Sequence, residues 1–220
     1  MPIPVVAFCT YLTSVENSWR NDDYNAADFV NALKNRNIRG NYAYCKVRGT
    51  WHKFDDGNRE NAVGWFAQMA ADFLSENGPK PPFVLVPVPG SKADVKFKGT
   101  NRTTTLAEAI ANEYGNGIVV KDVLRFNQPM QSASDEGGPR DAETIYANLT
   151  LIGRLSGKRV VLVDDVRTSG GHFAGCAAKL LVDGGASEVL LGVCGGRSDK
   201  VQVPDPFAIR LEDIPDFAPD

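Results

Sequence analysis

A chain of 220 residues, 43% apolar and 23% charged, is long enough to bury one substantial core and is far from the composition of a disordered segment. A net charge near −3 excludes a surface that attracts nucleic acid or anionic lipid as a whole, so a highly charged ligand would need a local basic pocket. The four cysteines have no C-x2-C spacing and there are only two histidines, His52 and His172, so a structural zinc site is not expected.

The first residues lack a basic stretch followed by an apolar core and a small-residue cleavage site, and no apolar run reaches the roughly 18 residues of a membrane span. The expectation is a cytoplasmic protein with no membrane partner. Residues 4–13 predict an opening strand, and residues 24–33 carry apolar spacing suited to a short helix. Tyr42, Tyr44, Val47 and Trp51 alternate with a period near two, and Asp55-Asp56-Gly57-Asn58 adds turn chemistry, which together predict a strand pair or hairpin over 40–53. Val63, Phe66, Ala67, Ala70, Phe73 and Leu74 recur at helical spacing across 60–76, and Gly78-Pro79 stops that helix.

Residues 83–89 form an almost wholly apolar run bounded by Pro81-Pro82 and Gly90, as expected of a strand covered on both faces. A polar loop over 90–105 follows, and Thr105, with Glu108 at the capping-box offset, is expected to cap a helix over 106–114. Another strand is expected over 118–124. Residues 125–143 are polar and rich in Gly, Pro and Ser, which suggests a surface loop or a mobile cover. The tail over 204–220, rich in proline and acid, is expected to lie loosely against the body.

The most informative stretch runs from Lys158 to Phe173. An apolar strand, Val160-Val161-Leu162-Val163, ends in Asp164-Asp165, turns through Val166-Arg167-Thr168-Ser169-Gly170-Gly171-His172 and resumes at helical spacing over 173–181. Gly184-Gly185 breaks the helix, and residues 187–194 supply the next buried strand of a β-α-β unit. A phosphate needs several converging donors, and the unpaired N–H groups of a helix start supply them with help from the helix dipole. Gly170 and Gly171 allow close approach of the backbone, while Thr168 and Ser169 add hydroxyls. Asp164 and Asp165 are placed to accept from ribose hydroxyls or to hold a divalent ion through water. The stretch lacks the lysine of G-x4-G-K-[ST], and its glycines do not form G-x-G-x2-G, which argues against a nucleoside triphosphatase or a nicotinamide-dependent oxidoreductase. The plainer alternative is an acidic pair and a flexible turn before a surface helix, with no ligand.

Residues 160–172 resemble the thirteen-residue phosphoribosyl pyrophosphate (PRPP) motif of type I phosphoribosyltransferases in the type and order of their side chains. More particularly, residues 83–194 are similar to the phosphoribosyltransferase domain of the competence-associated ComF-like proteins, in the Val86-Pro87-Val88-Pro89 strand end, the basic loop into Asn101-Arg102, and the echoes Gln131-Ser132, Arg140 and Asn148. The resemblance implies an α/β fold, a twisted, mainly parallel sheet flanked by helices, over 79–203; residues 1–78 are then expected to form an additional N-terminal lobe or an extension integrated with the core, and 204–220 a C-terminal tail. It implies that Asp164 and Asp165 bind the ribose hydroxyls, and that Thr168, Ser169, Gly170, Gly171 and His172 wrap the 5′-phosphate. Gly90, Ser91 and Lys92, with Arg102, would face the pyrophosphate, and Mg²⁺ would join phosphate and ribose oxygens. Asp164, Asp165 and Thr168 would then be the catalytic set. Arg167 and His172 depart from the family pattern, and a ComF-like zinc-binding N-terminal part is absent.

The implied activity is Mg²⁺-dependent transfer of phosphoribose from PRPP to an unidentified base or amine with release of pyrophosphate. The alternative is a non-catalytic sensor of PRPP or a nucleotide, including an accessory role in DNA uptake or processing. Trp51 and His52 are candidates for stacking on a base, with a core anchor and an exposed turn residue as their plainer roles. No basic stripe favours nucleic acid as a partner, and a homodimer is the default symmetric assembly.

Overall fold

The computed structural model describes residues 2–14, 18–115, 117–131 and 141–219. In chain order the elements are β1 (Ile3–Ala7), β2 (Thr10–Leu12), α1 (Asn21–Leu33), β3 (Ala43–Val47), β4 (Thr50–Phe54), α2 (Asn61–Glu76), β5 (Val84–Pro87) and α3 (Arg102–Tyr114). They continue with β6 (Val119–Val120), β7 (Leu124–Phe126), α4 (Ala142–Asn148), β8 (Leu149–Leu151), β9 (Arg159–Arg167), α5 (Gly171–Val182), β10 (Glu188–Asp199) and β11 (Arg210–Ile214).

The central sheet has the order β11-β1-β10-β9-β5-β6, with β2 beside the far half of β10. Its pairings are parallel except that of β11 with β1. Strand β9 lies in the middle and is buried on both faces, which is why its sequence is a continuous apolar run and not an alternation. Successive side chains still point to opposite faces. Val161 and Val163 pack into one core with Phe29, Leu33, Phe66 and Leu106 of α1, α2 and α3. Val160 and Leu162 pack into a second core with Phe173, Cys176 and Leu180 of α5 and Ile145 of α4. All four cysteines are buried free thiols.

The N-terminal segment shares these cores. Strand β1 lies inside the sheet between β10 and β11, and the β3–β4 hairpin turns Ala43, Cys45, Val47 and Phe54 inward against α1 and α2. The acidic, proline-containing end does not lie loosely. Without it β1 would be an edge strand with one side of its backbone unpaired, and Arg210–Ile214 pairs that side in register from Ile3↔Ile214 to Ala7↔Arg210.

Three expected elements have different bounds. Helix α3 begins at Arg102 with Asn101 as its N-cap, so Thr105 lies inside the helix and does not cap it. The strand expected over 118–124 divides: β6 joins the main sheet, whereas β7 pairs antiparallel with β8 in a separate small sheet. The segment expected as loop over 125–143 contributes Phe126 to that small sheet and the start of α4, which Asp141 caps by accepting from the Thr144 N–H at 2.7 Å. Residues 132–140 of that expected cover lie outside the described residues, and with them Ser132 and Arg140 of the resemblance. Among the described residues no helix is long and apolar enough to cross a membrane.

Candidate functional site

Strand β9 does not stop at its acids. On the β10 side its ladder continues through Cys194↔Asp164 and Gly196↔Val166 to Arg197↔Arg167, whereas on the β5 side it ends at Pro87↔Val163. Asp164 and Asp165 therefore lie just past the point where one neighbouring strand falls away, and both line the cavity that opens there. They are 7% and 5% exposed, an expensive place for two carboxyl groups without compensation. The compensation differs for each. Asp164 Oδ1 accepts the Asp165 N–H at 2.8 Å, and Asp165 Oδ2 meets the guanidinium of Arg102 in an ion pair. That oxygen has no well-aligned hydrogen bond to the protein. Burial, reinforced by repulsion from Asp165, holds the Asp164 carboxyl well above its ordinary value, with Arg102 acting against the shift.

After Arg167 the chain makes its turn into α5. Gly170 is the N-cap with φ +91°, and a Cβ there would lie 2.8 Å from Ile214 Cγ2 of β11. Only glycine satisfies both the left-handed backbone and that contact. The turn thus starts α5, with its surplus of N–H donors, beside the same opening, although Ser169, Gly170 and Gly171 do not line it. Thr168 and His172 line the cavity, and Ser169, Gly170 and Gly171 form the turn between them. Ser169 Oγ accepts the Gly171 N–H at a long 3.4 Å. Burial pushes the His172 imidazole below its ordinary value, partly offset by attraction to Asp165. Arg167 points elsewhere: it ion-pairs with Glu212 of β11, as does Arg197.

Asn101 organises the opposite wall. As N-cap of α3 its side chain accepts no backbone N–H of its own helix. Its Oδ1 instead accepts the Gly90 N–H at 3.3 Å, and its Nδ2 donates to Thr103 Oγ1 at 2.7 Å, while Thr103 Oγ1 donates to Val88 O. The buried network fastens the turn after β5 to the start of α3, and so fixes Arg102 at the mouth of β9. Gly90, Ser91, Lys92 and Arg102 all line the cavity, and the Gly90 N–H is already committed to Asn101.

The cavity holds about 610 Å³, within the range of small-ligand pockets. It gathers the acids, two residues of the helix-start turn and the loop after β5. Trp51 and His52 are not part of it. Trp51 is on the outward face of the hairpin, edge-on to Phe207, with the Lys46 ammonium 5.9 Å from its ring centre, and His52 stacks against Trp65 at 5.3 Å. The strand alternation that suggested a hairpin also turns these side chains away from the sheet's end. Lys34 and Arg36, just past α1, do line the cavity and had no local signal, because a basic residue after a helix is ordinarily a solvated complement to the dipole. Asn101 did carry one: Asn before a helical run is a strong N-cap.

No protein-family model matches the chain, and no curated protein matches it in sequence. Solved structures similar in fold include an adenine phosphoribosyltransferase from Trypanosoma brucei in complex with AMP, pyrophosphate and ribose-5-phosphate (TM-score 0.40, 14% identity, covering 90% of this chain and 87% of that one). The adenine phosphoribosyltransferase of Thermoanaerobacter pseudethanolicus gives 0.39 and 16%, over 71% of this chain and 95% of that one. A hypoxanthine phosphoribosyltransferase from Staphylococcus aureus gives 0.38 and 11%, over 67% and 71%. What the site can do is decided by its own residues.

Proposed function

We propose that this chain binds PRPP and transfers its phosphoribosyl group to an acceptor, releasing pyrophosphate. The observation that carries the reading is the buried Asp164–Asp165 pair, open to a cavity whose wall includes the start of α5 on one side and a basic loop on the other. A ribose-linked phosphate matches this layout. The acids accept from vicinal hydroxyls, Thr168 and the amides at the helix start receive the 5′-phosphate, and Lys92 with Arg102 faces the departing charge. Catalysis would come from alignment of the anomeric carbon and from neutralising charge that develops on the leaving group. The strand end at Val86–Pro89 and the Asn101-Arg102 step support a kinship with ComF-like domains, and four unpaired buried thiols suit a reducing, cytoplasmic setting.

The residues also fit Mg²⁺. Two adjacent carboxylates that line the cavity are a suitable protein share for an ion that draws its other ligands from water and substrate phosphates, although Asp165 Oδ2 is shared with the Arg102 guanidinium. Asp164 and Asp165 would hold it, and the bound ion would supply positive charge against the pyrophosphate.

Calorimetry with PRPP and Mg²⁺ tests the reading, followed by measurement of pyrophosphate release across a panel of acceptors. Micromolar donor binding that is lost in the Asp164→Asn, Asp165→Asn double variant is expected. No donor binding by the wild-type chain sinks the proposal, and binding without release under any acceptor identifies a sensor in place of a transferase.

A further inference from the structure

The cavity contains two cations that the donor-binding groups do not account for. Lys34 is the C-cap of α1, and Arg36 follows a left-handed step at Asn35. They reach the site because α1 lies unusually close to β10. A Cβ on Gly195 would strike the Leu33 side chain, and one on Gly196 would come within 2.6 Å of Val30 Cγ2. Gly195 stands level with Asp165 on the neighbouring strand, between the register pairs Cys194↔Asp164 and Gly196↔Val166. The bare stretch of β10 therefore lets the end of α1 settle at the acids. The Lys34 ammonium is half-buried there, and burial pushes it below its ordinary value against the pull of Asp165.

Their position relative to the acids matters. Strand β9 has β5 on one side and β10 on the other. The Gly90–Lys92 loop leaves β5, whereas Lys34 and Arg36 arrive over β10. Displacement at the anomeric carbon needs the leaving group and the nucleophile in line on opposite sides of that carbon. If the loop after β5 takes the pyrophosphate, the acceptor enters from the side of Lys34 and Arg36. Among the described residues that side offers charge and no aromatic ring lining the cavity. Among the described lining residues the one benzenoid ring is Phe97, on the loop that follows β5.

We infer that Lys34 and Arg36 form an acceptor subsite for an anionic, carboxylate-bearing small molecule, which makes a neutral purine a poor substrate. The inference rests on the PRPP reading above and names the class of acceptor for the same site. A carboxylate would gain charge-assisted hydrogen bonds from both groups, with the planar guanidinium able to grip it bidentately.

The test uses the full chain with PRPP and Mg²⁺ in two arms. Donor affinity is measured by calorimetry, and pyrophosphate release is measured with orotate, nicotinate and anthranilate against adenine and hypoxanthine. Turnover with at least one carboxylate and none with the neutral bases is expected. Lys34→Gln and Arg36→Gln should each raise the KM for that acceptor about tenfold, the loss of one charge-assisted contact. Donor Kd should shift less than the acceptor KM in both variants, and more in Lys34→Gln than in Arg36→Gln because Lys34 lies within electrostatic reach of Asp165, and Lys34→Arg should restore much of the acceptor KM. The inference is overturned by comparable kcat/KM for a neutral base, by variants that weaken PRPP and leave the acceptor KM alone, or by a chain that binds PRPP yet neither binds nor consumes any carboxylate. A wild-type chain that fails to bind PRPP removes the parent reading and this inference together, and the first arm alone identifies that outcome.

Discussion

The guanidinium of Arg102, the first residue of α3, is paired with the buried carboxylate of Asp165 in the central strand. The pair joins two elements whose paired residues stand 63 positions apart in the sequence, and it neutralises one of two adjacent buried acids. Its partners are unequal in environment: the Arg102 side chain is 39% exposed and that of Asp165 only 7%. Removing Arg102 therefore strands a charge that has little access to water, whereas removing Asp165 leaves a solvated one. Arg102→Gln is expected to cost about 1–3 kcal/mol of stability, less than for a wholly buried pair because solvent screens the arginine. Asp165→Asn should cost less, and the double variant less than the sum. Chemical denaturation of the four proteins measures the coupling, and single effects that merely add would refute a working ion pair.

Asp164 leads to a prediction of opposite sign. Its folded pKa is raised above the unfolded value by burial first and by repulsion from Asp165 second. Between those two values the folded chain holds a proton that the unfolded chain has released, so stability falls as pH rises from about 4 through the raised folded value. Asp164→Asn removes the penalty. The variant should match the wild type near pH 4 and exceed it at pH 8 by about 1 kcal/mol or more, while PRPP affinity drops at least tenfold. Thermal melts at the two pH values and a donor titration would check both halves, and an asparagine variant less stable than wild type at pH 8 would contradict the assignment.

These consequences were unequally legible in the sequence. The run from Val160 to Asp165, the glycines after it and the resumption of helical spacing are local patterns, and β9, α5 and β10 lie close to where those patterns place them. The acids were expected at a strand end; the finding is that only one of the two flanking ladders ends there, a fact that depends on strand order. Lys34 and Arg36 were illegible for a related reason. Nothing near them marks a site, and their arrival depends on Gly195 and Gly196, more than 150 residues away, which admit α1 to the sheet. Trp51 and His52 failed as pocket residues because residue type was read without direction: the hairpin register Lys46↔Trp51 and Cys45↔His52 commits one to solvent and the other to Trp65. The C-terminal strand was hidden by composition, since Glu212 and Asp213 suggest a solvated tail until the vacant edge of β1 is known to exist.

Gly170 ties that late strand to the candidate phosphate turn. Its φ of +91° disfavours any side chain, and a Cβ would also press on Ile214 of β11. Gly170→Ala should lose about 1–3 kcal/mol, the usual cost of a forced left-handed residue with an added contact. Adding Ile214→Ala relieves the contact but not the backbone, so the double variant should show less than the summed cost and still fall below the Ile214→Ala parent. Denaturation midpoints measure this. Donor Kd should weaken in both glycine-replaced proteins, because the displaced turn carries Thr168 and His172. Unchanged donor affinity in a folded Gly170→Ala protein would detach this turn from phosphate binding.

His172 offers the most direct electrostatic reading of an anion in the cavity. Burial pushes its imidazole below the ordinary value of about 6.5, so at neutral pH the free chain holds it uncharged. Stability follows the same sign: it is intact above the ordinary imidazole value and declines as pH falls from there through the depressed folded value, where the unfolded chain has already taken up a proton. A phosphate seated beside Thr168 and the helix start would favour the imidazolium and raise that pKa. Donor binding near pH 6.5 should therefore draw a proton from buffer onto His172. Calorimetry in two buffers of different ionisation enthalpy counts that proton. His172→Gln should show a smaller uptake, the remainder belonging to the donor's own phosphates, and its donor affinity should improve less than that of the wild type as pH falls from 7.5 to 6. The chain has only one other histidine, His52, packed on Trp65 in the hairpin, so imidazole resonances provide an independent check. A His172 resonance whose titration is unmoved by saturating PRPP and Mg²⁺ would mean that no phosphate sits against this turn.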